Sequence, residues 1–235
     1  MMNAKQAILR LETLDYQAPS ESYASFSGAS LALHPGGLAA VHIDHDSEHV
    51  PIADLVTGLL TPTSGRVLLE GRDWQAMNPF EQAAARGRIG CVLEQPSWVA
   101  SLSVRQNVML RERHHTRRSD AEIADEADEL SRLAGLKTVP TLRPDRVRSR
   151  ELRIFEWVRA FMGRPALVVL VFPAREAFSG AVATCMQLVE RARSAGTAVL
   201  WVSDRDDSWQ QPLMEGADHF QIKDERWTPL NGKDS

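Results

Sequence analysis

The chain has 235 residues, enough for one large α/β domain or a core with a small inserted subdomain. Hydrophobic residues make up 43% and charged residues 25%, which is ordinary for a globular protein. A formal net charge of −4 does not suit a nucleic-acid partner, and no window reaches the roughly 18 consecutive apolar residues that cross a bilayer. The amino-terminal residues also lack the apolar run of a signal peptide. A cytosolic chain is therefore expected, touching membrane only through a partner. Cys91 and Cys185 sit in apolar stretches and read as small core residues.

In chain order, Ile8 to Leu14 alternates like a half-buried strand, and Ala29 to Leu33 is a second strand before the turn at Pro35-Gly36-Gly37. Leu38 to Ile43 reads as a buried strand, followed by a polar run from Asp44 to His49 and a helix over Ile52 to Leu60. A tight turn at residues 61–65 leads into a strand from Val67 to Glu70, and Ile89 to Leu93 is another. Ser119 and Glu122 have the spacing of a capping box, and the helix behind them places Ile123, Ala127, Leu130 and Ala134 on one face. A second helix carries Leu152, Phe155, Val158 and Met162 as its apolar stripe. Leu167 to Phe172 and Thr197 to Ser203 are continuous apolar runs with a helix from Val182 to Ala195 between them, which suits strands buried on both faces of a parallel sheet. Residues 217–227 read as a closing hairpin. The basic clusters from Arg111 to Arg118 and from Arg143 to Arg153 are interleaved with acids and read as solvated faces.

Three segments give this order of parts a resemblance. Gly58 to Gly71, Arg88 to Leu93 leading into Leu102 to Val108, and Arg159 to Pro165 before an apolar strand ending at Pro173 all resemble the ATP-binding subunit of an ABC transporter. The resemblance implies a P-loop NTPase-like ABC ATPase fold: a mostly parallel α/β sheet, an amino-terminal antiparallel β subdomain, and an inserted helical subdomain over about residues 97–163 of a single domain spanning residues 1–235. The segment from Asn107 to Thr116 also resembles ATPases of phospholipid-transporting systems that carry MCE proteins.

The chemical motifs depart from that frame. A phosphate loop of the form G-x-x-x-x-G-K-S/T wraps phosphates in backbone N–H groups, while its lysine and hydroxyl hold the terminal phosphate and magnesium. Counting back from Gly58, its positions fall on Ile43, Asp46, Glu48, His49, Val50 and Pro51. Asp44, Asp46 and Glu48 place carboxylates near a polyanion, and a like-charge pair 4 Å apart costs roughly 4 kcal/mol at an effective dielectric near 20. The metal-orienting and general-base acids fall on Val171 and Phe172, the signature on Val147 to Glu151, the switch histidine on Asp204, the Q-loop glutamine on Glu94, and the adenine-stacking aromatic near Ala18, with Tyr16 in the core.

These losses lead to the expectation of a chain that is not an enzyme, with no catalytic residue and no cofactor: a pseudo-ATPase docked on a transmembrane permease as scaffold or regulator, peripheral on the inner face of the cell membrane. The alternative is a nucleotide-binding subunit that contributes to ATP hydrolysis with an intact partner. The resemblance weighs against it, since each site in such a dimer combines one chain's phosphate loop with the other's signature and this chain lacks both. Either reading pairs the chain with itself or with another ABC ATPase. Glu94, Gln95, Trp98, Val99 and Leu102 then mark the expected permease-docking surface, or ordinary core. His42, His45 and His49 could share a metal ion, against a plain solvated loop, and Arg148, Arg150 and Arg153 could hold an anion, against a solvated helix end.

Overall fold

The computed structural model describes residues 6–19, 23–44, 50–173, 179–203 and 216–230. Strand β3 (Leu38–Ile43) is buried along its whole length, as are β7 (Leu167–Val171) and β8 (Ala198–Ser203). Their side chains alternate between two cores. Ala39, Val41, Val169 and Leu200 join one, while Ala40, Val168, Val199 and Trp201 join the other. Two-sided burial explains why these runs show no polar alternation.

The remaining strands are β1 (Leu9–Tyr16), β2 (Phe26–Leu33), β4 (Ser64–Leu69), β5 (Arg72–Asp73), β6 (Ile89–Val92), β9 (Asp218–Lys223) and β10 (Arg226–Pro229). All ten form one sheet in the order β5-β4-β1-β2-β10-β9-β3-β8-β7-β6. From β9 to β6 neighbouring strands are parallel, whereas β2, β1, β4 and β5 pair antiparallel. The two parts meet where β10 runs parallel to β2 at Arg226 and Ser27. Strands β9 and β10 form the expected hairpin, and Asp224 and Glu225 both adopt positive φ as a tight two-residue hairpin turn requires.

Helix α1 spans Ile52–Val56, four residues short of the expected end. Gly58 sits at φ +67°, and Leu59 N–H reaches back to the Asp54 carbonyl at 2.8 Å, a glycine-terminated helix end. The buried Trp74 indole donates to the Val56 carbonyl at 3.1 Å, closing that end.

Two helices escaped the sequence reading, although both carry capping boxes: α2 (Pro79–Arg86) behind Asn78 and Glu81, and α3 (Val104–His115) behind Ser103 and Gln106. Helix α4 (Asp120–Leu133) starts at the foreseen Ser119–Glu122 box. Helix α5 (Ser149–Phe161) packs on β6 and on α3 and α4, and α6 (Ser179–Ser194) leads into β8. The four helices α3 to α6 cover one face of the parallel strands, while α1 and the antiparallel strands cover the other.

The Arg111–Arg118 cluster is a solvated face only in part: Arg113, His114, His115 and Arg117 are exposed, whereas Arg111 and Arg118 turn toward buried partners. Arg111 is mostly buried and donates to the carbonyls of Ile89, at 3.0 Å, and Met162. Arg118 binds Glu126 and lies 3.5 Å from the buried Glu112. Arg111 faces inward because α3 packs against α4 and α5, which leaves its guanidinium within reach of the Ile89 and Met162 carbonyls. Arg113 and Asp120 do form a surface pair at 2.7 Å.

Candidate functional site

The parallel strands end at one edge of the sheet, and that edge carries the positions aligned with nucleotide motifs. Ile43 closes β3 and packs in the core. Asp44 turns outward, its N–H bound to the Ile222 carbonyl at 3.2 Å and its carboxylate 3.5 Å from the Lys223 ammonium. His42 is buried within β3, between Ser203 of β8 and Gln221 of β9. Asp46, Glu48, His45 and His49 lie outside the described residues, as does Asp204. Val50 is buried, and Pro51 precedes α1 without any side-chain cap.

Val171 and Phe172 both contribute their side chains to the core. Phe172 adopts φ +45°, and its N–H donates to the Val202 carbonyl at 2.9 Å. The backbone therefore turns out of the sheet at this point while the side chain stays inside. Tyr16 is buried against Phe26 at 6.2 Å between ring centroids, and Ala18 packs against the same core.

A charged row on α5 connects these strand ends, and the sequence reading missed it. Arg153 is nearly buried and donates to the Leu93 carbonyl beyond β6 at 2.8 Å and to the Phe172 carbonyl beyond β7 at 2.9 Å. It also binds Glu156 at 2.6 Å. Burial pushes the Glu156 carboxyl up, while Arg153 and Arg159 pull the other way. One turn on, Arg159 donates to the Ser97 carbonyl at 2.7 Å and hydroxyl at 2.9 Å, and its guanidinium lies 4.9 Å from the Trp98 ring centre. Positions 153, 156 and 159 repeat every three residues on one helix face, so the periodicity was available. Their placement inward was not, because charges at that spacing ordinarily face water. Arg148 and Arg150 are exposed at the start of α5, so the three expected arginines do not converge.

The segment after β6 is held from two sides. The buried Asn107 side chain accepts from Val99 N–H at 2.8 Å and donates to the carbonyls of Val99, at 3.1 Å, and Ser103, at 3.0 Å. This clip leaves Val99 43% exposed and Gln95 exposed, while Glu94, Trp98 and Leu102 are half-buried. Across the start of α3, Val104 N–H donates to Leu142, whose side chain is 54% exposed.

No protein-family model matches the chain. The ribose import ATP-binding protein RbsA 1 of Rhizobium etli is 24% identical over 214 residues, covering 87% of this chain and 40% of that protein. The chain thus spans well under half the length of this relative. The lipoprotein-releasing system ATP-binding protein LolD 1 of Rhodopirellula baltica is 26% identical over 186 residues, covering 79% of this chain and 81% of that protein. Among solved structures, the dimeric structure of MJ0796, a bacterial ABC transporter cassette, matches with a TM-score of 0.81 at 18% identity, over 95% of this chain and 99% of that one. The same cassette in a post-hydrolysis state, bound to ADP and Pi, matches equally.

These similarities correct the expectation that the chain is not an enzyme, since they run to ATP-binding proteins and to a cassette seen after hydrolysis. The physical reason lies in what a side-chain inventory omits. A phosphate cradle is built largely from backbone N–H groups, which a count of lost side chains does not register. By fold and by sequence, this chain is a relative of the ATP-binding subunits of ABC transporters.

Proposed function

We propose that the chain is a nucleotide-binding subunit of an ABC-type transport complex and contributes to ATP hydrolysis together with an intact ATPase partner. In this reading it pairs with that partner as a dimer, docks beneath a transmembrane permease, and lies peripheral on the inner face of the cell membrane. The supporting observation is the frame itself: β3 leads toward α1 and β4 as in a cassette, and the similarity to ATP-binding proteins covers most of the chain. Among the described residues, no helix is long and apolar enough to cross a membrane, so contact with a transported substrate falls to the permease.

The test compares the purified complex with and without this chain. Calorimetric titration with Mg-ATP and steady-state hydrolysis are expected to show that omitting the chain lowers turnover about tenfold, equivalent to about 1.4 kcal/mol of barrier. Equal turnover without the chain overturns the reading.

The docking surface has its own test. Val99 and Leu142 offer exposed apolar contacts beside a loop fixed by Asn107 and Arg159. Val99→Glu should weaken association with the permease by about 1–2 kcal/mol, the scale of a moderate hot spot. Its melting temperature should stay within a degree or two, because the side chain is outside the core. Unchanged pull-down of the permease argues that this face is not the contact.

A further inference from the structure

The amino ends of β7 and β8, at the opposite edge of the sheet from the strand ends above, hold a pocket of about 160 Å³ between α4, the end of α5 and α6. Leu130, Phe161, Leu188 and Ala192 make its walls largely apolar. A cavity of about 150 Å³ with such walls accepts a benzene-sized body.

The polar groups around the pocket are unequally committed. Glu126 accepts from Gly163 N–H at 3.0 Å and from Arg118, and the Thr197 hydroxyl donates to the Pro165 carbonyl at 2.7 Å. Arg191 spends one nitrogen on Glu129, at 2.6 Å, and keeps its other donors. Arg164 is exposed at the rim, and among the described residues nothing pairs with it. The uncommitted polar capacity is therefore made of donors, which calls for an acceptor.

Arg164 also holds φ +53°, a conformation that favours glycine or asparagine. A long cation held at such a position is one of the places where function is sought. We propose that this pocket binds a small monocarboxylic acid, its benzene-sized apolar body filling the cavity and its carboxylate meeting the Arg164 guanidinium. Bidentate pairing suits a planar guanidinium. The carbonyl-rich ends of α5 and α6 nearby offset part of that attraction, so affinity is set at the millimolar scale rather than tighter. A ligand here touches α4, α5 and α6 at once and fixes their packing from a point remote from the aligned nucleotide motifs.

Benzoate is the probe, with acetate and benzyl alcohol as controls that lack the body and the charge respectively, read by ligand-observed NMR and calorimetry on the full chain. Saturable benzoate binding with Kd near ~1 mM is expected, and weaker binding of both controls. Arg164→Gly keeps the backbone conformation and should weaken benzoate about tenfold without lowering Tm. Ala192→Phe fills the pocket and should abolish binding; if that chain does not fold, Arg164→Gly decides alone. Acetate binding as well as benzoate, no saturation by ~20 mM benzoate, or Arg164→Gly binding like the parent each overturns the proposal.

Discussion

Gly90→Ala is expected to lower the melting temperature by roughly 10 °C or more, or to prevent folding. An alanine Cβ at this position would lie 1.8 Å from the Ala160 carbonyl oxygen and 2.7 Å from its carbon. Gly90 is on β6 and Ala160 on α5, so both sides of the clash are backbone of packed elements. Overpacking in a core costs about 1–3 kcal/mol when side chains can yield, and more when they cannot. For a chain of this size each kcal/mol moves Tm by about 2–4 °C. Gly196→Ala is the control, since its Cβ meets nothing within 4 Å and only its φ of +96° is strained. That change should cost about 1 kcal/mol. A circular-dichroism melt of Gly90→Ala matching the parent would mean that α5 does not press on β6 as described.

The second large effect concerns Arg153 and Glu156. Arg153→Met leaves the Glu156 carboxylate buried without its principal partner, and the carbonyls of Leu93 and Phe172 without their donor. Breaking one side of a buried ion pair costs about 3–5 kcal/mol. The double replacement Arg153→Met with Glu156→Leu should recover much of this, because neither charge of the pair then stays in the core. If the double variant melts no higher than the single one, the carbonyl contacts rather than the ion pair dominate.

The pair also predicts a pH dependence. Burial holds the folded Glu156 pKa above its unfolded value, so the folded chain keeps that proton to higher pH. The Glu156 contribution to stability is then fully present below the ordinary glutamate range and is lost as pH rises through the raised folded value. Glu156→Gln should lack that falling limb in melts taken across the window.

The strands of the sheet were legible because burial on both faces writes itself as unbroken apolar runs. Leu38–Ile43 was bounded to the residue, and Leu167 to Phe172 ran one residue past β7. Helix α1 was overextended although Gly58, inside the window 52–60, is the glycine of a helix end; the reach of Trp74 to Val56 that closes this end is tertiary and invisible in that window. Helices α2 and α3 were missed for a different reason. Helix α2 buries no side chain, so it has no apolar stripe to find, and the signal was in Asn78 and Ser103 as caps.

The inward course of Arg111 and Arg153 could not be read, since a charge run looks alike whether it faces water or carbonyl groups. At the site, residue identities were plain but their consequence was not. Counting lost side chains led to a non-enzyme, whereas the similar proteins are ATP-binding proteins and a cassette seen after hydrolysis.

Strand β3 lies at the heart of the sheet, yet both of its neighbours, β8 and β9, come from the carboxyl-terminal part of the chain. A ribosome must therefore emit most of the polypeptide before this apolar segment has anything to zip onto, while β1 and β2 can already close as a local hairpin. The nascent chain carries this apolar ribbon bare until late in translation, and newly made copies should lean on chaperones far more than refolded ones do.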